Sequence, residues 1–319
     1  MRVTQSMLSS NMLRNLNNSY NKMAKYQEQL NSGSIINRPS DDPVVAVKGM
    51  GYRVDLDKNQ QYQRNLNQAN TWLDGTDEAL DQVGTSLIRV KELIVQAAND
   101  TNTPEDRQKI NEEISQIRQH LKDLGNTKVG ENYIFSGTHT NDPLFVNDAI
   151  NTKFTPVPDR IAVPNAPLVA TEKSIDINVF DGIKMQINTE GVGLFKEINT
   201  FMTEVENLLK DNTTTGKDIG DSLGVNLLAG GNPAIPGLDA LNEKVLVKRA
   251  EVGAKQNRVE LMESRLQMQE VNVTKQKSLN EDTDYAKTIT EMVTAESIHQ
   301  ASLSVGAKII QQTLVDFIR

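Results

Sequence analysis

The sequence lacks cysteine, holds few aromatic residues and contains no long apolar run. The absence of cysteine excludes disulfide bonds, thiolate metal ligands and cysteine nucleophiles, although it does not fix the cellular compartment. Aromatic residues make up 4% of the 319 residues, and Trp72 is the single tryptophan. This scarcity favours slender helices packed along a seam over a thick globular core.

Two further absences concern membranes and nucleic acids. No segment approaches the roughly 18 consecutive apolar residues of a transmembrane helix, so we expect no membrane partner. The N-terminal stretch MRVTQSMLSSNML lacks the apolar core of a secretory signal peptide, which predicts that any export proceeds without a cleaved signal. The formal net charge is -8, so no basic surface is available to meet phosphates and we expect no nucleic-acid partner.

Histidine, a frequent catalytic and metal-binding side chain, is also scarce. His120, His139 and His299 are the only three, and none has a second ligand at short spacing. The sequence contains no H-E-x-x-H motif, no P-loop and no dinucleotide-binding glycine pattern. We therefore predict no metal site, no cofactor and no catalytic residue.

Two other candidates for chemistry have simpler structural explanations. Asp41 and Asp42 could act as general acid and base, but they stand directly before Pro43, where carboxylates cap the first amides of a helix. Ser136, within IFSGTH, lacks the elbow sequence of a nucleophilic serine. The chain is thus predicted not to be an enzyme, and an enzyme within the central part of the chain is the alternative.

Apolar residues recur in alternating steps of four and three along much of the chain. The clearest run extends from Tyr62 to Ala97 without a break and predicts one helix from Pro43 to about Asn99. Thr103 and Pro104 then predict the start of a second helix, an antiparallel neighbour that ends at Gly125. In the C-terminal half, the same rhythm is set by residues seven apart, namely Val252, Val259, Leu266 and Val273.

Both ends of the chain carry the same rhythm but are separated from the rest by polar breaks. The breaks are NSGSIINRPSDDP (31–43) and NEDTD (280–284). Because an isolated amphipathic helix is marginal in water, we expect the two terminal helices to pair with each other and then with neighbouring subunits. The predicted assembly residues are Leu13, Leu16, Tyr20, Met23, Leu30, Ile289, Leu303, Ile310, Leu314 and Phe317.

The centre of the chain loses this rhythm. ENYIFSGTHTNDPLF and SIDINVFDGIKMQIN predict strands and turns, followed by a helix from Leu194 to Leu209. We predict a mainly α fold with an inserted β-rich domain, in which both chain ends form a long antiparallel coiled-coil-like bundle. The predicted segments are an assembly helix and connector (1–42), two halves of a helical domain (43–136 and 237–280), the insertion (137–236) and a C-terminal assembly helix (281–319).

Several motifs resemble the bacterial flagellin family. They are NSGSIINRPSDDP, RVKELIVQAAND (89–100), VGAKQNRVE (252–260) and NEDTDYAKTITEM (280–292). ENYIFSGTHTNDPLF and the final DFIR resemble the branch of the family that joins the flagellar hook to the filament. The resemblance implies a flagellin-like fold whose terminal helices are disordered in the free subunit and form an inner coiled-coil layer on assembly. The two polar breaks would then be connectors.

The resemblance also implies a function. It implies a structural, extracellular subunit at the hook–filament junction that is exported through the flagellar type III channel. The implied partners are other copies, an adjacent hook-associated protein, flagellin, and an export chaperone at the C-terminal segment. Arg89, Leu93 and Glu113 match the positions with which flagellins pack along the protofilament or contact an innate immune receptor, and packing is favoured here. Filament flagellin and a cytoplasmic coiled-coil scaffold are the alternatives.

Overall fold

The fold is mainly helical. The computed structural model describes residues 5–99, 103–146, 149–151, 174–211, 216–222 and 236–316. Its helices are α1 (Gln5–Ser32), α2 (Pro43–Ala97), α3 (Pro104–Gly125), α4 (Val192–Lys210), α5 (Gly216–Asp221), α6 (Leu238–Glu281) and α7 (Tyr285–Asp316). Its strands form three antiparallel hairpins: β1 (Lys128–Val129) with β2 (Asn132–Tyr133), β3 (Phe145–Val146) with β4 (Ala149–Ile150), and β5 (Asp176–Phe180) with β6 (Ile183–Gln186).

The helix starts follow the capping rules. Asp42 caps α2, because its Oδ1 accepts the amides of Val44 and Val45 at 3.0 and 3.1 Å. Asp41 has a different role and accepts the amide of Arg38 at 3.0 Å, which holds the preceding turn. This backbone hydrogen bond is the main cause that lowers the pKa of Asp41 below its usual value. The two adjacent carboxylates are therefore both occupied by backbone amides.

The chain divides into two compact units. The first unit comprises Met1–Gln60 and Gln267–Arg319, and the second comprises Gln61–Leu266. Helices α2 and α6 contribute residues to both units. The five-segment division proposed from the sequence stays a prediction.

The second unit has a continuous apolar core. Along α2, the predicted seam is buried from Leu66 to Ala97, and Tyr62 is half-buried with its ring 6.2 Å from that of Phe180. Buried residues of α6 and the other elements complete this core, and α3 packs against α4. Within the insertion, the described residues hold two hairpins and the helices α4 and α5, so its β content is small.

The first unit pairs the two terminal helices. The side chain of Met12 lies against Gly306, and the rings of Tyr20 and His299 have centroids 6.2 Å apart. As numbers rise along α1 they fall along α7, so the helices are antiparallel, and the predicted pairing of the chain ends is confirmed. Among the described residues, none of the helices has both the length and the hydropathy that a membrane crossing requires.

Candidate assembly surface and connector joint

The face of α7 that lies against α1 consists mostly of small and polar residues. Its least exposed positions follow a heptad rhythm, as do those of α1. On α7 they are Thr288, Met292, Ala295, His299, Ser302 and Gly306, and on α1 they are Ser9, Met12, Leu16, Ser19, Met23, Tyr26 and Leu30. At Gly306 an added Cβ would overlap the end of the Met12 side chain, so the methionine fills the space that the glycine leaves. The contact with α1 therefore buries little of the apolar surface of α7.

A polar contact crosses this seam near the connectors. Tyr26 of α1 forms a side-chain hydrogen bond with Glu291 of α7. Burial, together with this carboxylate, raises the pKa of the Tyr26 hydroxyl above its usual value. The contact lies at the end of the seam nearest the connectors.

Most large apolar side chains of α7 that the structure describes lie on either side of the seam with α1. Ile289 is 50% exposed and Leu303 is 47% exposed. Val293, Ile298 and Val305 are also exposed. On α1, Leu13 and Tyr20 are exposed in the same way. We call the five exposed apolar residues of α7 named above the α7 flanks.

The first unit has no buried apolar side chain among the residues whose burial the structure describes. Every hydrophobic residue that the structure describes as buried lies between Leu66 and Leu266, in the second unit. The buried polar residues of the first unit are Asn59, Glu281, Thr283 and Thr288. A helical unit of this size without a dry core leaves most of its hydrophobic surface in contact with water.

The two polar breaks of the sequence are hydrogen bonded to each other. Ser34 and Asp282 form an isolated antiparallel bridge. Beside it, the amide of Ile35 donates to the carbonyl of Glu281 at 2.7 Å, and the amide of Thr283 donates to the carbonyl of Gly33 at 2.9 Å. We call this contact the connector joint.

Gly33 makes the tight turn into this joint possible. Its φ of +70° lies in the left-handed region, which residues with a Cβ adopt at a cost. A Cβ at this position would also lie 2.9 Å from the hydroxyl oxygen of Tyr285, the first residue of α7. The glycine of NSGS is therefore required by both the backbone and its neighbour.

Glu281 joins the connector joint to α2. Its carboxylate is almost buried and accepts two hydrogen bonds from Nη2 of Arg53, each at 3.0 Å. It lies directly over Gly49, where a Cβ would overlap the carboxylate. The adjacent Asn280 donates from Nδ2 to the carbonyl of Val45 at 3.0 Å. Sequence reasoning missed this cluster, although a glycine inside a heptad helix was a signal of close approach.

Three of the predicted assembly residues have side chains outside the described part of the chain. The side chains of Ile310 and Leu314 belong to helix α7 but are not described, and Phe317 lies outside the described residues. On α1, Leu16, Met23 and Leu30 lie in the seam with α7. Leu13 and Tyr20 are exposed, and the ring of Tyr20 borders the seam beside His299. Whether these residues mediate assembly stays a prediction.

The structure brings two of the three predicted packing residues together. Arg89 contacts Glu113 at 2.8 Å and Glu92 at 2.8 Å, and all three side chains are about half exposed. The hydrogen bond to Glu113 is the main cause that raises the pKa of Arg89. Leu93 does not lie on this surface, because it is 1% exposed within the core of the second unit.

The histidines are dispersed in the structure. His120 is exposed, His139 lies 3.9 Å from Asp142, and His299 faces the α1–α7 seam. Among the described residues, no three His, Asp or Glu side chains are grouped so that they could hold a metal ion. Ser136 is buried, and its hydroxyl donates to the carbonyl of Asp142 at 2.7 Å, which is a turn contact.

Comparison with known proteins identifies the family. Models of the bacterial flagellin N-terminal and C-terminal helical regions match residues 3–140 and 235–318, which together exceed half of the chain. Flagellar hook-associated protein 3 of Escherichia coli (strain K12) is 28% identical over 94% of this chain and 93% of its own length. Flagellin of Bacillus subtilis (strain 168) is 26% identical over 98% and 97%.

Solved structures agree with this fold. The crystal structure of Bacillus cereus FlgL superposes with a TM-score of 0.53 at 21% identity and covers 72% of this chain and 99% of its own. A structure from Vibrio parahaemolyticus, assigned as a flagellar hook-associated protein, gives a TM-score of 0.59 at 19% identity, covering 76% and 99%. The motifs, the antiparallel terminal helices and the two family models agree, and the chain belongs to the bacterial flagellin family.

Proposed function

We propose that this chain is a structural subunit of the bacterial flagellum that joins the hook to the filament. Family membership supports the flagellar role, and the likeness to a hook-associated protein over nearly the whole of both chains supports the junction. The observation that carries the mechanism is the exposure of the α7 flanks. A soluble helix normally turns its largest apolar residues toward its partner, whereas most of those that the structure describes on α7 lie beside the seam and are exposed.

The exposed residues fall on two sides of α7. At 3.6 residues per turn, Ile289, Val293 and Leu303 share one flank, and Ile298 and Val305 share another about 170° around the helix. Two different flanks fit a head-to-tail contact, in which one flank of each copy meets the other flank of the next. Contacts of this kind close into rings or continue as helical tubes.

Between the flanks, the side of α7 opposite α1 is polar. It carries Thr290, Thr294, Ser297, Ala301 and Ser304, all exposed. The hydroxyl groups of the threonines and serines donate to carbonyls of α7 itself, for example from Thr290 to Ala286 at 2.8 Å. This side therefore suits contact with water, and in a ring of α7 helices it would face the central space.

Burial of the flanks would supply free energy for assembly. A fully buried Ile, Leu or Val contributes roughly 1.5–3 kcal/mol, so half-exposed residues such as Ile289 and Leu303 retain about 1 kcal/mol each. One contact of this size does not offset the ordering of a helix, which costs about 1–2 kcal/mol per residue in backbone entropy. In a closed ring each subunit forms this contact on both of its flanks, so ring closure adds a contact without ordering a further helix, and assembly is therefore cooperative.

The proposal also includes the binding partners and the export route. We propose that the chain binds further copies of itself, an adjacent hook-associated protein and flagellin through the terminal helices. Before assembly, an export chaperone would cover the C-terminal segment, whose apolar flanks are otherwise in water. The chain would leave the cell without a cleaved signal and act outside it. The Arg89–Glu113 pair remains a proposed contact along the protofilament, and contact with an immune receptor is the alternative for that surface.

Complementation of a strain without a hook–filament junction protein tests this function. The full chain should restore attached filaments, and a truncated chain without residues 289–319 should not. Purified truncated chain should still melt cooperatively, because the core lies between Leu66 and Leu266. Attached filaments in cells with the truncated chain would contradict the proposal.

Electron microscopy with immunogold labelling distinguishes the alternatives. The junction role predicts label confined to a band at the hook tip. Label along the whole filament would indicate filament flagellin, an alternative that the likeness to Bacillus subtilis flagellin supports. Label only inside the cell would indicate a cytoplasmic scaffold.

A further inference from the structure

We infer that Glu281 is a positioning residue that sets the direction in which α7 leaves the connector joint. The inference rests on the proposed function, because the direction of α7 decides whether the α7 flanks can meet a neighbouring subunit. Glu281 is the last residue of α6, and only three residues separate it from Tyr285, the first residue of α7. Because this connector is so short, a rotation at Glu281 also rotates α7.

Four contacts converge on Glu281. Its carboxylate is held by Arg53 of α2 and lies over Gly49 of the same helix. Its carbonyl accepts the amide of Ile35 at 2.7 Å and the hydroxyl of Ser34 at 3.2 Å, both from the N-terminal connector. One residue thus ties α2, the end of the α1 connector and the start of the α7 connector together.

Small changes at this residue would have large effects at the end of α7. A helix of 32 residues is about 48 Å long at 1.5 Å per residue. A rotation of about 10° at the joint would move its far end by roughly 8 Å, which equals the usual distance between packed helices. At Leu303, 18 residues along α7, the displacement would be about 5 Å, enough for the flank residues to miss a neighbour that is already fixed in a ring.

A role in stability alone explains the geometry less well. The Arg53 side chain is 59% exposed, so water competes with the ion pair and its net contribution to stability is small. The space for the carboxylate also requires a glycine within a helix, which costs helix propensity. A costly and weakly stabilising arrangement that fixes an angle is expected of a positioning contact.

Two glycines of α2 provide a matched experiment. In Gly49→Ala, the new Cβ would displace the Glu281 carboxylate, which is the movable end of a flexible side chain. In Gly51→Ala, two residues further along the same helix, the new Cβ meets nothing within 4 Å. Both variants gain the same helix propensity. They differ only in what happens to Glu281.

Each variant is expressed in the junction-deficient strain, and three quantities are measured. They are the amount of chain secreted into the medium, the number of filaments attached per cell and the melting temperature of the purified chain. We expect Gly49→Ala to be secreted and to melt like Gly51→Ala. It should, however, attach filaments at least about tenfold less often, because its α7 flanks no longer meet the neighbouring subunit. Gly51→Ala should match the unaltered chain.

A double-mutant cycle shows whether the effect acts through Glu281. Glu281→Ala should reduce attachment by itself, and Gly49→Ala added to it should reduce attachment no further, because the displaced carboxylate is already absent. Equal attachment by Gly49→Ala and Gly51→Ala would overturn the inference, and so would additive losses in the double variant. Failure of the unaltered chain to restore attachment would instead overturn the proposed function.

Discussion

The outward apolar residues of α7 give the sharpest prediction about assembly. We expect the double substitution Ile289→Asp with Leu303→Asp to abolish filament attachment while it changes monomer stability little. In the isolated chain, both positions are about half exposed, so each new carboxylate can reach water and the loss is about 1 kcal/mol of apolar contact per site. In an assembled ring, the same carboxylates would be buried without partners, which costs several kcal/mol each.

Controls separate the surface from the core. Leu80→Ala, at a position with 0% exposure in the second unit, should cost about 2–5 kcal/mol of unfolding free energy. At roughly 2–4 °C per kcal/mol, that variant melts about 4–20 °C lower. Ser297→Asp with Ser304→Asp places the same two charges on α7 but on its polar side, and should attach filaments nearly normally.

The assays are thermal unfolding by circular dichroism and counts of attached filaments in the junction-deficient strain. A melting-temperature loss for the double aspartate variant as large as that of Leu80→Ala would show that the flanks belong to the core of the monomer. Normal attachment would show that they do not form the contact between subunits. An equal loss with Ser297→Asp and Ser304→Asp together would show that any charge on α7 is harmful, and the two-flank argument would fail.

Two further predictions concern the turns and caps. Thr103→Ala removes the hydrogen bond that chiefly lowers the pKa of Asp106, so NMR titration should show that pKa rising toward its usual value of 3.8. A lowered carboxyl pKa stabilises the folded chain above pH 3.8, and this stability is lost as the pH falls below that value. The variant should therefore lose less stability on acidification than the unaltered chain. An unchanged titration of Asp106 would contradict the hydrogen bond from Thr103. Gly33→Ala adds about 1–2 kcal/mol of backbone strain at φ +70° and a close approach to Tyr285. Gly182→Ala, at φ +71° in open space, adds the strain alone and serves as the control. We expect Gly33→Ala to attach fewer filaments than Gly182→Ala, and equal attachment by the two variants would refute a role for the joint.

The local periodicity of the sequence was enough to predict the helices and much of the core. The run from Tyr62 to Ala97 became the buried seam of α2, and the cap at Thr103 starts α3 as expected. Such features are predictable because the residues that decide them are three or four positions apart. The helix predicted from Leu194 to Leu209 is α4, for the same reason.

Features that depend on distant parts of the chain could not be predicted in this way. The connector joint links Ser34 to Asp282 through backbone hydrogen bonds, which leave no side-chain pattern in either segment. Leu93 was assigned to a surface because it matches a family position, yet its neighbours in the fold bury it. Knowledge of which residues match a family motif does not reveal which side of the helix is covered.

The same heptad spacing has opposite consequences in the two units. In the second unit, the seam positions of α2 and α6 are large and apolar, and the chain buries them against itself. In the first unit, the seam of α7 is made of small and polar residues such as Ala295 and Gly306, and the large apolar residues lie beside it. A seam of this kind holds two helices in register without a dry core, so the pair can remain marginal until neighbours arrive. If the proposed function holds, stability and assembly depend on different residues of one repeating pattern, and a chain folded at its centre would still need other copies at its ends.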